Sequence, residues 1–325
     1  MKTLFLLVFQ SAWNRRGTLG LMVLSIALSV TLLLGVEQLR AGVRQSFDHS
    51  VSGTDLLVGA RTSPLQLLLY AVFRLGDATH NMQWSSYEQL AKNPAIAWSI
   101  PISLGDSHHG FPVIGTQTDY FNKFRYGAKQ TLEFEAGVPF QGIFEAVIGA
   151  DVVDQLHYPL GAQIALSHGS GEHGLAEHDD KPFRISGILK RTGTPVDRSI
   201  HINLNAMEAI HLEWQGGAKI PGVSIPAQHV TKFDLQPKQI TAMLIGLKSR
   251  IGVFGMQRIV NNFADEPLLA VLPGVALKDL WSMLTILEKT LLVVSALVLS
   301  VSLVGLIAVM LAGLRERRRE LAILR

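Results

Sequence analysis

Two uncharged apolar runs lie near the ends of the chain: residues 18–36, TLGLMVLSIALSVTLLLGV, and residues 291–314, LLVVSALVLSVSLVGLIAVMLAGL. As helices rising about 1.5 Å per residue they cover about 28 and 36 Å, enough to cross the hydrocarbon core of a bilayer, the second with some tilt. Core helices of soluble proteins rarely run 18 or more residues without a charge. The pattern therefore predicts two transmembrane helices. Residues 1–17 predict an amphipathic helix on the cytoplasmic membrane face, with Leu4, Leu7 and Val8 toward lipid. Trp13, Asn14, Arg15 and Arg16 follow that apolar stretch where a signal peptide would carry a small-residue cleavage site.

Between the runs the periodicity changes repeatedly. Leu39, Val43 and Phe47 are spaced by four and extend the first helix outward as a stalk through residues 37–52. TDLLVGA (54–60) reads as a strand. After Ser63-Pro64, Leu65, Leu68, Leu69, Val72 and Phe73 fall on one helical face. Ser85-Ser86-Tyr87-Glu88 reads as an N-cap for a helix to about Lys92. Residues 95–104 and 110–116 predict a hairpin whose turn is Gly105-Asp106-Ser107-His108-His109. Strands are predicted at 146–149, 162–167, 182–189, 200–204 and 238–247, and helices at 150–157, 205–214 and 251–263. Residues 216–228 read as a loop rich in Gly and Pro. In residues 273–289, Leu277, Leu280, Trp281, Leu284 and Leu287 form a second stalk leading into the second run. The fold class is a membrane protein whose transmembrane α-helices flank a large α+β extracytoplasmic domain, in one lobe or two.

Charge supplies orientation. Lys2, Arg15 and Arg16 precede the first run with no acid. Beyond it, Arg40, Arg44 and Arg61 are balanced by Glu37, Asp48 and Asp55, and Lys278 and Lys289 by Asp279 and Glu288. Arg315, Arg317, Arg318, Arg319 and Arg325 then outnumber Glu316 and Glu320. Both termini are expected in the cytoplasm and residues 37–290 outside. The net charge of +3 is explained by these flanks and gives no reason to invoke nucleic acid. There is no cysteine, which excludes disulfides, thiolate metal sites and cysteine nucleophiles.

The last residues, Arg317-Arg318-Arg319-Glu320-Leu321-Ala322-Ile323-Leu324-Arg325, together with a stalk and an apolar span, resemble the FtsX-like, MacB-like permeases of ATP-binding-cassette systems, of the lipoprotein-release and macrolide-exporter type. The segments Glu145-Ala146-Val147-Ile148-Gly149 through Tyr158-Pro159-Leu160-Gly161, and Ser52-Gly53-Thr54-Asp55-Leu56-Leu57-Val58-Gly59, resemble that family's periplasmic core domain more loosely. The resemblance implies a multi-pass protein of the bacterial inner membrane that works by mechanotransmission. A cytoplasmic ABC ATPase partner would bind the ATP, a second permease subunit would complete a dimer, and a periplasmic partner is an option. It implies four spans, so the chain is expected to be C-terminally truncated. It also implies that Arg315, Glu316, Arg317, Arg318, Arg319, Glu320 and Arg325 form the helix that docks on the ATPase. The plain alternative is a basic anchor touching lipid headgroups, which would not need the interleaved acids.

Enzyme signatures are missing. There is no Gly-x-x-x-x-Gly-Lys-Ser/Thr, Gly-x-Ser-x-Gly or His-Glu-x-x-His motif, so no catalytic activity is expected. One stretch carries other chemistry. Residues 167–182, SHGSGEHGLAEHDDKP, hold His168, His173, His178 and Asp180, imidazoles and a carboxylate suited to zinc or a similar ion, with His108-His109 a candidate neighbour in space. The bland reading is a solvated glycine-rich hairpin, since spacings of five in a loop fix no ligand geometry. Residues 192–198 read as a polar turn in which Asp197 and Arg198 pair. The alternative to the permease is a membrane-anchored periplasmic sensor or metal-binding module.

Overall fold

The five residues Leu56–Ala60 form strand β1, every one of them buried. A strand apolar at successive positions is covered on both faces. Met256 and Val260 of one helix share a core with Leu56 and Val58, while Leu67 of another lies against Gly59, where an added Cβ would meet its Cδ1 at 2.6 Å. The computed structural model describes residues 13, 16–50, 52–169, 178–215, 218–220 and 225–323. The chain divides into two units, Met1–Arg44 with Trp281–Arg325, and Gln45–Leu280.

The second unit is built on one sheet of eleven strands among the described residues. After β1 these are β2 (Ile96–His108), β3 (Phe111–Thr116), β4 (Phe134–Gly137), β5 (Glu145–Ile148), β6 (Gln163–Ile164), β7 (Ser167–His168), β8 (Phe183–Leu189), β9 (Ile200–Asn203), β10 (Ala242–Leu247) and β11 (Leu268–Val271). The order is β11-β1-β10-β2-β3-β9-β5-β8-β4, with β7 added to β2 and β6 to β8. Pairs β5–β8 and β3–β9 are parallel and the rest antiparallel. The α+β expectation holds, with one large sheet and three two-stranded ones among the described residues.

The helices include α1 (Arg16–Ser50), α2 (Pro64–Leu68), α3 (Trp84–Ala91), α4 (Ala150–Leu156), α5 (Leu204–His211), α6 (Val253–Asn261) and α7 (Pro273–Ile323), besides a single turn at Asp119–Lys123. Two large apolar clusters lie in the second unit, beside a small one around Ala209, Val230 and Leu235. One joins β1, β10 and β11 to Leu90 of α3 and Met256 of α6. The other joins β3, β5, β8 and β9 to Val152 of α4 and to Ala206, Met207 and Ile210 of α5.

Several local expectations are corrected. The predicted hairpin turn at 105–109 is instead strand: β2 runs to His108, and the turn is His109-Gly110 alone. Both residues have positive φ (47° and 79°), the two-residue hairpin geometry that matches strand twist. The pairing register of β2 and β3 shifts between Leu104 and Ser107, so Gly105 and Asp106 form an irregularity within the ladder. The cap of α3 is Gln83, not the serines, and its side chain makes no capping bond. Past α2 the chain continues as a π-helical turn, Leu69–Phe73, which breaks the 3.6-residue period. Leu68, Val72 and Phe73 are buried as expected, Leu67 and Tyr70 are buried with them, and Leu65 and Leu69 are only half-buried. Asp197 accepts from the Thr192 and Gly193 N–H groups (2.8 and 2.7 Å) and not from Arg198, which lies over the Phe111 ring at 5.8 Å.

The segment Pro273–Gly305 is the one stretch among the described residues long and apolar enough to cross a membrane. Its most apolar window has a mean hydropathy of 2.0 and none of it is buried. Within α1 the shorter stretch Ile26–Gly35 is apolar, and Leu28, Leu32 and Leu34 are exposed. Helix α7 continues over Arg315, Glu316, Arg317, Arg318, Arg319 and Glu320. Residues 1–12, where the amphipathic helix was expected to begin, and Arg325 lie outside the described residues.

Candidate functional site: a histidine–aspartate cluster

Strand β7 pairs antiparallel with β2 so that His168 stands directly opposite Asp106. Cross-strand partners on one face of a sheet bring their side chains into contact. His168 Nδ1 lies 3.1 Å from Asp106 Oδ1. The irregularity at Gly105 and Asp106 delivers this carboxylate to a buried position, 4 % exposed. The flanking backbone is tied across the strands, with Gly169 N–H donating to Gly105 O (2.9 Å) and the Ser107 hydroxyl to Gly169 O (2.6 Å).

Helix α5 supplies the third group. Its buried face, Leu204, Ala206, Met207, Ala209 and Ile210, anchors the helix in the core, and His211 follows at its last turn. His211 Nδ1 lies 2.7 Å from Met207 O, one helical turn back. A carbonyl accepts only, so Nδ1 carries a proton; Nε2 presents its lone pair when the ring is neutral and donates when the ring is protonated. That Nε2 lies 3.1 Å from His168 Nδ1 and 3.5 Å from Asp106 Oδ1.

The fourth is His178, 1 % exposed. Its N–H donates to Leu166 O (2.8 Å), and its carbonyl accepts from Lys181 N–H (3.1 Å). Lys181 is buried as well and donates to Glu213 (2.9 Å) and Asp180 (3.0 Å). This ion pair fastens the segment that follows His178 to the residues just past α5. Trp214 walls the site, its ring centroid 4.8 Å from that of His178 and 5.4 Å from that of His168.

One ligand atom from each of Asp106, His168, His178 and His211 lies within 4.8 Å of all the others. Among the described residues, two atoms of the group, Asp106 Oδ2 and His178 Nε2, are buried without a hydrogen-bond partner. Burial works against the charge on Asp106, but the bonds from His168 and His211 outweigh it and hold the carboxyl at about 2. Burial holds the His178 imidazole neutral, down to about 4. For His211 burial opposes protonation and Asp106 overcomes it, so its pKa is raised. The site thus offers a carboxylate and imidazole lone pairs in a confined space, the donor chemistry of a cation site.

The sequence-predicted set is partly regrouped. His168 and His178 come together. Asp180 does not join them and engages Lys181. His173 lies outside the described residues. His108 stays apart, its Nδ1 2.6 Å from Ala165 O and its Nε2 3.1 Å from the Tyr158 hydroxyl, while His109 forms the exposed hairpin turn. Asp106 and His211 were missed. The strand pattern around Asp106 was masked by a Gly-Asp-Ser string that imitates a turn. The signal for His211 was its place directly after the apolar face of α5.

No curated protein matches the chain. Among solved structures, similar folds include the periplasmic region of MacB from Actinobacillus actinomycetemcomitans, at 10 % identity over 70 % of this chain and 93 % of that one, with a TM-score of 0.40. Another is the extracellular domain of the noncanonic ABC-type transporter YknZ from Gram-positive bacteria, at 11 % identity over 67 % of this chain and 99 % of that one, with a TM-score of 0.39. The family of the MacB-like periplasmic core domain matches residues 18–234, more than half of the chain. On that match, the chain belongs to the MacB-like periplasmic core domain family, the periplasmic part of ABC-type permeases.

Proposed function

We propose that this chain is part of an ABC-type permease subunit that passes ATP-driven movement from a cytoplasmic ATPase to its periplasmic domain by mechanotransmission, acting in export or in lipoprotein and amphiphile handling. The observation that carries the reading is the family match over residues 18–234. It is supported by the apolar segment Pro273–Gly305, which follows the domain in sequence, and by the acidic–basic string from Arg315 to Glu320 on the same helix. In this reading α1 and α7 cross the bacterial inner membrane, both termini are cytoplasmic, and two permease subunits pair. An exposed apolar helix of this length is costly in water and stable in lipid. Interleaved Arg and Glu side chains give a protein partner charges of both signs to meet, which an anchor to anionic headgroups would not use.

Affinity purification of the tagged protein from membranes tests the docking role. Wild type is expected to carry a P-loop ATPase identifiable by mass spectrometry. The Arg317→Glu, Arg318→Glu, Arg319→Glu triple variant, inserted at wild-type levels, is expected to lose it. Equal recovery by both would remove the docking role.

A further inference from the structure

Three of the four clustered ligand atoms already form a triangle with edges of 3.1, 3.1 and 3.5 Å: His168 Nδ1, His211 Nε2 and Asp106 Oδ1. Zinc bonds to imidazole nitrogen and carboxylate oxygen at about 2.0–2.2 Å, and a tetrahedron of that size has edges of about 3.4 Å. Each edge of the triangle lies within about 0.3 Å of that length, so it approximates one face of a zinc tetrahedron. The fourth corner falls to His178, whose ligand atom lies within 4.8 Å of the other three.

A hydrogen-bonded polar cluster explains less of this geometry. His211 Nδ1 is engaged by Met207 O, so its Nε2 can only accept in the neutral ring. His168 Nδ1 has one proton at most to share between His211 Nε2 and Asp106 Oδ1. Among the described residues, His178 Nε2 and Asp106 Oδ2 are buried without hydrogen-bond partners, an unfavourable arrangement for polar atoms shut off from water. A cation is the species that accepts several converging lone pairs at once. Met207 O behind His211 supplies the outer contact that commonly fixes the orientation of a ligating imidazole.

We infer that Asp106, His168, His178 and His211 form a binding site for a divalent ion of the zinc class. Four protein ligands complete a tetrahedron and leave no open position, so the site holds its ion and does not activate water. It joins strands β2 and β7, the segment entering β8, and the end of α5. The ion therefore acts as a clasp on the two ends of the 169–178 connection. The inference does not depend on the permease reading, and failure of either leaves the other intact.

The test uses the full chain purified in detergent, stripped with a chelator and titrated with Zn²⁺. Wild type is expected to retain one zinc per chain after gel filtration and to unfold at a higher temperature with zinc than without. Co²⁺ in its place is expected to give the intense visible bands of tetrahedral coordination. Asp106→Asn and His178→Gln are expected to weaken zinc binding by at least about tenfold. His173→Gln is expected to bind as wild type does, because four ligands suffice. Trp214 packs on two of the ligands, so its fluorescence is expected to change on zinc addition, and Trp214→Phe to lose that change while keeping the ion. The inference is overturned if wild type retains no zinc at micromolar concentration. It is equally overturned if Asp106→Asn and His178→Gln retain zinc as wild type does, or if His173→Gln alone abolishes binding. Should a ligand variant fail to fold, the wild-type stoichiometry and cobalt spectrum decide the matter.

Discussion

His201 shows how strongly a single side chain can depend on its surroundings. It lies on β9, fully buried, with its ring 5.0 Å from Tyr120 and 5.8 Å from Phe121. Burial, and secondarily the nearby Arg74 charge, lower its pKa from 6.5 to about 3. The unfolded chain binds a proton here near pH 6.5, whereas the folded ring stays neutral to about 3. Between those values the unfolded state holds more protons, so this residue's contribution is intact above pH 6.5 and declines as pH falls through the window. His201→Leu is expected to flatten the fall in urea midpoint between pH 6.5 and 3 relative to wild type; an unchanged slope would assign the acid sensitivity elsewhere. Lys181 is a second residue of this kind. Its ammonium and the Glu213 carboxylate are both buried, 2.9 Å apart. Lys181→Met strips the partner from a buried carboxylate and is expected to cost about 3–5 kcal/mol in urea unfolding. Neither burial was legible in the sequence, where Lys181 follows two aspartates and reads as solvated.

Among the elements, the edge strand β4 depends on one backbone conformation. Gly137 has φ 74°, and an added Cβ would sit 2.1 Å from Ser186 O on β8. Gly137→Ala is expected to destabilise the domain by at least about 2 kcal/mol, since left-handed strain and a backbone clash act together; a change below 0.5 kcal/mol, taken as within the ordinary scatter of surface substitutions, would show that the strand end relaxes freely. Element identity was mostly legible. Strands β5, β8 and β9 and helix α4 lie within a residue or so of expectation, because their apolar periods coincide with the burial they have. The failures have specific causes. Gly105-Asp106-Ser107 carries turn chemistry, yet the ladder absorbs it as an irregularity inside β2. The π-helical turn at Leu69–Phe73 adds a residue to the helical repeat, and Tyr70 and Ala71 are buried there beside the expected Val72 and Phe73.

For the whole molecule, the expectation is topological. A reporter inserted near Gly171 should read as external, and one fused after Arg325 as cytoplasmic. The reverse pattern would overturn the assignment of sides, because the Lys and Arg excess near the span ends is what sets it. The apolar run at 291–314, which overlaps the apolar segment Pro273–Gly305, and the α+β class were legible in the chain, since long uncharged runs and changes of period are properties of consecutive residues.

Consecutive residues therefore determined the class of the fold, the apolar helix and the presence of an unusual store of imidazoles in residues 167–182. Only the tertiary structure decided which of those imidazoles meet. His168 finds Asp106 through strand pairing across 62 positions, and finds His211 because α5 packs its apolar face into the same core. Ligand geometry is set by register and helix packing, which are relations between distant segments, and spacing within one loop does not contain them.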